Sequence, residues 1–539
     1  MSRKTMFQPD ASSSAVASAG CGVAEVGQDI LQHILSKLPA QSFAYASCVS
    51  RTWNYICGRI LSRPKLSSAL SLNPALEDAV AAIVEKVLSE PIRPHFAILY
   101  IERTFYSLEN AHRLITEKLG RGIPIITCEP SGIIGRDTIN NEFREVKFER
   151  FDPEYGIEER HRPGILLTVG YVPGLKADTI PLLNTQEPKI DKFVIDIKDY
   201  SASVSGCTSP DAIILFGDPH CGMKPVINKM DYAMSTESII VGSEGSRFKY
   251  TSCDNSKNIF TSPRGPNLSV GAVALVFAKD KTKSHSLGKI QFHVSMAAGA
   301  AAVGPTYKAV SVKVNRGESS TWLTAKREGL DQILDGRQLL DNLDNELGDD
   351  VFESDLFIGL TKKRKCSFQS EKVKSVTSLA YHHVLDGDEQ YLYIRGFDIK
   401  TGDVFRFHVP DPKFALSSCR NVSDNLRKWK QDSNVNGCKN ATMAASDAAG
   451  EVFGAFIFSC CGRGLPFFGR PNVDSSPILD NFPCIPLAGM FCCGEICRGP
   501  LISASRENGH TIRSNLHVYS AVYLVLTYCP VAHMPSNLV

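Results

Sequence analysis

Cys460-Cys461-Gly462-Arg463-Gly464 and Gly494-Glu495-Ile496 each follow an apolar run and each set glycine beside one charged side chain. Two glycines around an arginine let the backbone turn tightly and aim a guanidinium into a cleft. A fixed guanidinium suits a carboxylate or phosphate ligand; the same group can instead brace neighbouring loop carbonyls. Glu495 can hold a ligand amine, or pair with Arg463 in an ion pair that is acceptable when buried and costly when broken. The pattern predicts that Arg463 and Glu495 converge, within direct or one-water reach, at the rim or floor of a cleft. The candidate cleft residues are Cys461, Gly462, Arg463, Gly464, Gly494 and Glu495.

Cys460, Cys461, Cys484, Cys492, Cys493 and Cys497 invite a metal reading, but their spacing is not the paired Cys-x-x-Cys of zinc sites. Adjacent cysteines on a strand point to opposite faces. The expectation is zinc-free packing of small side chains with free thiols; a reactive thiol beside Arg463 is the alternative, since a nearby cation lowers a thiol pKa. His382-His383, Asp386 and Asp388 carry metal-ligand types without a third histidine at helical spacing, and read as a solvated turn. Gly217-Asp218-Pro219-His220-Cys221-Gly222 follows an apolar run and can border a cleft, but lacks the length and lysine of a phosphate loop. No Gly-x-Ser-x-Gly elbow and no His-Glu-x-x-His helix occurs. Neither a cofactor nor intrinsic catalysis is expected.

The elements that must position these groups are strand-rich. Apolar runs predict strands at His95–Ile101, Ile123–Cys128, Ile165–Tyr171, Phe193–Ile197, Ala212–Phe216, Ser238–Val241, Ala272–Phe277, Ile290–Val294 and Tyr307–Val314. Most are continuously apolar, as in a sheet covered on both faces. Ala75–Glu90 and Ser107–Leu119 read as helices, the second capped by Ser107 and closed by Gly120. Trp322–Glu346 has helical periodicity around Asp335-Gly336, and Asp424–Lys430 is a further helix. Strands follow at Leu392–Phe397, Val404–His408, Val452–Ser459 and Leu516–Tyr528; residues 432–450 read as a polar insertion. No repeat of leucine-rich spacing recurs, which argues against a solenoid.

The 539 residues suggest about three domains. With 43% hydrophobic and 22% charged residues the composition is globular, and a net charge of +2 gives no field to hold nucleic acid or anionic membrane. No run reaches the ~18 uninterrupted apolar residues of a membrane helix. Seventeen cysteines without a secretory h-region point to a reducing compartment. Residues 1–24, rich in Ser and Ala, read as a disordered tail, with a transit peptide as the alternative. Thr361–Lys365 reads as a solvated loop or, alternatively, a nuclear import signal.

Near the N-terminus, Asp29–Ile60 reads as three short helices with one continuous apolar face. Ile30, Leu31, Ile34, Leu35 and Leu38 recur at helical spacing, and Leu38-Pro39 ends the first helix. Ser42 is a candidate cap for the second helix, and Val49-Ser50-Arg51-Thr52-Trp53 opens the third. A unit this short cannot bury all its apolar groups alone, so part of that face should meet a partner. Leu38-Pro39, Val49-Ser50-Arg51 and Trp53 resemble an F-box, the adaptor-binding module of cullin-RING ubiquitin ligases, although Val26-Gly27-Gln28 stands where the family usually has a Leu-Pro. The resemblance implies that Ile30, Leu31, Ile34, Leu35, Leu38, Pro39, Val49 and Trp53 contact a Skp-type adaptor.

A second resemblance covers the C-terminal two-thirds. Ile240-Val241-Gly242-Ser243, Gly304-Pro305, Leu334-Asp335-Gly336-Arg337, Phe357-Ile358-Gly359-Leu360, Tyr391–Phe397, Ser459–Gly464 and Pro486–Ile496 resemble, in order, the motifs of paired FIST domains. Ser252–Leu268 departs from that pattern. The order F-box, FIST N, FIST C resembles the F-box-only protein 22 group. The implied organisation is a tail at 1–24, an F-box at 25–70, FIST N at 92–318 and FIST C at 319–530. The expected fold is mixed α+β: a small three-helix F-box followed by two strand-rich units. The implied function is a non-catalytic substrate receptor of a Skp-cullin-F-box (SCF) ubiquitin ligase, in cytoplasm or nucleus, with an unknown protein target. FIST domains also imply a small, amino-acid-like ligand, so a ligand sensor is the alternative; a thiol enzyme is a third.

Overall fold

A computed structural model describes residues 27–148, 162–183, 186–253, 270–283, 288–347, 355–366, 374–439, 450–499, 501–502, 512–513 and 516–530. The tail at 1–24 and most of residues 254–268 and 440–450 lie outside them, as do the side chains of Lys362–Lys365. Among the described residues no helix is long and apolar enough to cross a membrane.

The N-terminal helices are α1 (Gln28–Leu35), α2 (Ala40–Ala46) and α3 (Arg51–Ile60). Leu31, Leu35, Phe43, Ala46, Ile56 and Cys57 form their common core. Ser50 caps α3 by accepting from the Trp53 N–H at 3.2 Å. Ser42 is not a cap: α2 starts two residues earlier, where the fixed φ of Pro39 launches it. The module is fastened to the rest of the chain by Ala40 N–H donating to the Leu88 carbonyl at 2.9 Å and Tyr171 Oη donating to the Leu61 carbonyl at 2.6 Å.

Next comes a five-stranded sheet in the order Lys65–Ser71, Ile165–Tyr171, Phe96–Ile101, Ile125–Glu129, Arg247–Thr251. The helices Leu76–Val87 and Leu108–Leu119 cover one face, and apolar residues of an adjoining sheet cover the other. That two-sided burial accounts for the uninterrupted apolar strands.

The adjoining sheet has eleven strands. Its main path runs Lys289–Ala297, Ala521–Cys529, Glu451–Cys460, Leu487–Arg498, Ile239–Glu244, Ala212–Gly217, Ala272–Lys279, Leu175–Leu182. The strand Leu487–Arg498 is its keystone. It pairs in parallel with Glu451–Cys460 and antiparallel with Ile239–Glu244, with a register shift between Cys493 and Glu495. The hairpin Gly132–Arg136 and Phe143–Lys147 also pairs onto it, through Gly489–Phe491.

The third sheet curls into a barrel. The strands Phe357–Cys366, Val404–Pro410, Ala300–Asn315, Ser320–Arg327, Leu392–Arg395 and Lys374–Gly387 follow one another, and the first and last pair with each other. The helix Gly336–Leu347 sends Leu339 and Leu343 into its apolar interior. The mixed α+β class with a helical N-terminal module is as expected.

Four local expectations need correction. Phe193–Ile197 is part of the helix Glu187–Ser205: Ile190, Phe193, Val194, Ile197, Ser201 and Val204 are its buried residues, at helical and not alternating spacing. Trp322 lies on a strand, and the helix begins only at Gly336, because the apolar residues before that break serve the barrel. Thr361–Lys365 continues the strand Phe357–Cys366 and is not a loop. His382 and His383 lie on the strand Lys374–Gly387, and the turn beyond it holds Asp388, whose carboxylate accepts from the Gln390 and Tyr391 N–H groups.

Gly242 lies opposite Leu215 in the parallel pairing of Ile239–Glu244 with Ala212–Gly217. Its φ is +148°, and a Cβ there would lie 1.9 Å from the Leu215 carbonyl oxygen. Gly242→Ala should therefore destabilise by about 2–3 kcal/mol. Gly58, helical and facing open space, is the control, since alanine there should stabilise by ~0.5–1 kcal/mol. Urea denaturation of both variants checks the pair; equal midpoints would contradict this packing.

Candidate functional site

The Cys-Cys-Gly-Arg-Gly turn leaves the end of Glu451–Cys460, and Gly494-Glu495 lies within the neighbouring strand, so pairing Cys460 opposite Cys492 brings both motifs to one place. Gly494 takes a φ of +70° at the bulge, and a Cβ there would meet the Glu244 side chain at 2.4 Å. Only glycine fits both demands.

Arg463 is fully buried. Its Nε donates to Asp474 Oδ1 at 3.0 Å, its Nη2 to the same oxygen at 2.6 Å and to Cys419 Sγ at 3.3 Å, and its Nη1 to the Tyr519 carbonyl at 2.7 Å. The guanidinium also lies over the Phe468 ring at 5.1 Å. Asp474 is itself buried and accepts from Ser459 Oγ at 2.8 Å. Burial alone would lower the Arg463 pKa, but the Asp474 carboxylate outweighs it and raises the value. Arg463 is a brace, as one of the two sequence readings held, but its acid is Asp474, not Glu495.

Glu495 is equally buried and makes its own contacts. Its Oε2 accepts from Ser520 N–H at 3.1 Å and from Ser520 Oγ at 2.9 Å, while Oε1 has no hydrogen-bond partner. Burial pushes the carboxyl up to about 8 against the opposing Ser520 hydrogen bonds. A carboxyl in that state is neutral at pH 7 and needs no cation. The two charged motifs meet on consecutive residues, Tyr519 and Ser520, and not on each other.

The hairpin from the N-terminal side buttresses this cluster. Lys147 Nζ donates to the Cys461 carbonyl at 2.7 Å, and Glu145 accepts from Asn472 N–H at 2.9 Å. Burial pushes the Glu145 carboxyl up to about 7. At the rim Tyr519 Oη donates to Asp355 Oδ2 at 2.7 Å. Cys493 is exposed, Cys461 and Gly462 are half-buried, and Gly464 is buried. Among the described residues no group of three His, Cys, Asp or Glu is placed to hold a metal. His382 instead bonds Lys224 Nζ at 3.0 Å and the Arg395 carbonyl at 3.1 Å. Asp474, Tyr519, Ser520, Lys147 and Glu145 were missed in the sequence; the available signal was the general need of a buried arginine for a carboxylate, which names no particular acid.

The N-terminal candidates divide by exposure. Leu31 and Leu35 are core, and Leu38 and Trp53 are half-buried against that core. Pro39 is exposed, and Ile30, Ile34 and Val49 are 60%, 49% and 65% exposed. Ile30 and Ile34 are four residues apart on α1 and share a face.

The F-box domain model matches residues 27–63 and the FIST C domain model matches residues 341–498. F-box/LRR-repeat protein At5g63520 of Arabidopsis thaliana is 40% identical over 515 residues, which cover 94% of this chain and 94% of that protein. Uncharacterized protein MT0656 of Mycobacterium tuberculosis is 40% identical over 75 residues, 14% of this chain and 19% of its own length. Uncharacterized protein Mb0898c of Mycobacterium bovis matches to the same extent. The chain belongs to the F-box protein family and carries a FIST C domain. F-box proteins are typically non-catalytic substrate receptors, and the domain implies a Skp-type adaptor of a cullin-RING ligase as partner. The Arabidopsis name includes leucine-rich repeats; the described strands of the present chain form sheets and a barrel.

Two measurements check the buried charges. Asp474→Ala strands the Arg463 charge and should cost about 3–5 kcal/mol, read as a fall in Tm. Glu495 behaves differently: its folded pKa of about 8 exceeds the ordinary 4.5. The folded chain thus keeps a proton that the unfolded chain releases, so its contribution is complete below pH 4.5 and is lost as pH rises towards 8. Glu495→Gln should gain stability relative to the unsubstituted protein across that window; parallel pH profiles in chemical denaturation would refute the buried neutral carboxyl.

Proposed function

We propose that this chain is the substrate-recognition subunit of an SCF-type ubiquitin ligase. The F-box holds the Skp-type adaptor, the FIST units hold a target protein, and ubiquitination commits that target to degradation. Transfer chemistry belongs to other subunits; this chain supplies proximity, which converts a bimolecular encounter into an effectively intramolecular one. In this reading the strand-rich region ahead of the FIST C domain is the FIST N unit, the organisation is that of the F-box-only protein 22 group, and the protein works in cytoplasm or nucleus.

The observation that carries the reading is the apolar surface left on the F-box. Its own core and its junction with the rest of the chain account for Leu31, Leu35, Phe43 and Ile56, yet Ile30, Ile34 and Val49 stay exposed. Exposed apolar groups on a small module mark an interaction site. The small-ligand reading has weaker support, because the guanidinium of Arg463 is engaged by Asp474 and Tyr519.

Binding of the full chain to the purified adaptor tests the proposal. Ile34→Asp with Val49→Asp should leave the fold intact, since both side chains are outside the core. Interface anchors contribute ~2 kcal/mol each, and 1.4 kcal/mol is about tenfold in affinity, so the double variant should bind at least ~10-fold more weakly. Undiminished binding by a folded double variant would end this assignment.

A further inference from the structure

The parallel strands Glu451–Cys460 and Leu487–Arg498 each end a stretch in a Cys-Cys pair, and their register aligns the two pairs. Side chains alternate between the faces of a sheet. Cys460 and Cys492 therefore go inward, 7% and 1% exposed, while Cys461 and Cys493 turn the other way. Cys493 is exposed and Cys461 is half-buried, and their sulfurs are 3.3 Å apart.

The backbone holds both in place. Cys461 N–H donates to the Cys492 carbonyl at 2.7 Å, and its own carbonyl accepts from Lys147. Cys493 precedes the left-handed Gly494, which the Glu244 side chain packs against. Neighbouring strands lie ~4.8 Å apart, within the ~4.4–6.8 Å that Cα atoms of a disulfide span. Closing the sulfurs to ~2.05 Å asks for side-chain rotation and no change of register.

We propose that Cys461 and Cys493 are a reversible dithiol–disulfide site, whose oxidant is a low-molecular-weight disulfide of the glutathione class. The exposed Cys493 thiol releases its proton and its thiolate attacks one sulfur of that disulfide. The small S–S bond breaks, one small thiolate leaves and takes up a proton, and a mixed disulfide stands on Cys493. Cys461 then loses its proton and attacks the Cys493 sulfur, expelling the second small thiol. The protein dithiol gives up two electrons and two protons, the small disulfide becomes two thiols, and the reaction balances. Thiol–disulfide exchange of this kind needs an accessible first sulfur and a resolving partner in reach, and in a reducing compartment such a bridge forms transiently.

The surroundings set the resting state. The Cys460 thiol, more than burial, pushes Cys461 up to about 12, and the hydrogen bond that Cys493 donates to Cys461, followed by burial, holds Cys493 above the usual thiol range. Attack is slow from groups held mostly protonated, so the site answers to prolonged oxidant and not to brief exposure. Once closed, the bridge ties the Cys461–Gly464 turn to the Gly494 bulge.

The test is equilibration of the full chain with glutathione disulfide, followed by non-reducing peptide mapping and alkylation after unfolding. The expected result is a Cys461–Cys493 linked peptide, loss of alkylation at both of these cysteines, a higher Tm, and reversal by dithiothreitol. Cys460 and Cys492 remain alkylatable. Cys461→Ser should leave Cys493 as a mixed glutathione disulfide that goes no further. Four outcomes would overturn the proposal: an unreacted pair, a mixed disulfide that persists on Cys493 in the unsubstituted chain, a bridge through Cys460 or Cys492, or a linkage that survives reductant. Mapping of the unsubstituted chain alone decides among them, so the inference does not depend on the variant folding.

Discussion

The buried pair of Arg463 and Asp474 is the interaction on which the C-terminal unit depends. A guanidinium and a carboxylate leave water together only when nearly every donor and acceptor finds a partner. Here the partners come from separate segments: the turn after Glu451–Cys460, the segment before Ser476–Leu479, Cys419 on the long helix Pro412–Lys439, and Tyr519 ahead of the last strand. Cys419 and Tyr519 lie 44 and 56 residues from Arg463 in the chain, and both are held by its guanidinium. Ser520, next to Tyr519, carries the constraint on to Glu495. The geometry of the strand ends thus follows from the demand of one cation for hydrogen bonds.

Much of the architecture could be read from residue patterns, because burial writes itself directly into them. Ile165–Tyr171 is a strand with the bounds its apolar run suggests, and Ser107 and Gly120 delimit a helix as their side-chain chemistry requires. Phe193–Ile197 misled because a five-residue apolar cluster is compatible with either a strand or the buried face of a helix, and only the wider spacing from Ile190 to Val204 separates the two. The turn and bulge motifs were visible as places where glycine relieves backbone strain. Their partners were not visible, since Asp474 becomes special only when the fold carries it to Arg463. Glycine requirements are local; charge pairing is tertiary.

The same distinction explains the N-terminal module. Helical periodicity marks Ile30, Leu31, Ile34, Leu35 and Leu38 as one apolar set, yet periodicity does not say which members close the internal core. Packing sends Leu31 and Leu35 inward and leaves Ile30 and Ile34 outside. Trp53, which has the size of an interface anchor, packs instead against the module's own core. A module of this size has more apolar surface than it can cover, and the uncovered remainder is what a partner can use.

The strand Leu487–Arg498 is hydrogen-bonded along one stretch to C-terminal strands and along the next to Ile239–Glu244. A single β-sheet therefore joins strands from the N-terminal and C-terminal halves of the chain, and a sheet bends far less readily than a linker. Rotation of one half against the other would have to break a continuous ladder of backbone hydrogen bonds. If the chain serves as the receptor proposed above, this sheet makes it a ruler and not a hinge. A protein gripped on one part of it would stand at a set distance and angle from whatever is attached at the other. Which lysines of that protein come within range would then be decided by where they lie on its own surface, and a segment too short to cover the fixed gap could not be brought closer by flexing the receptor.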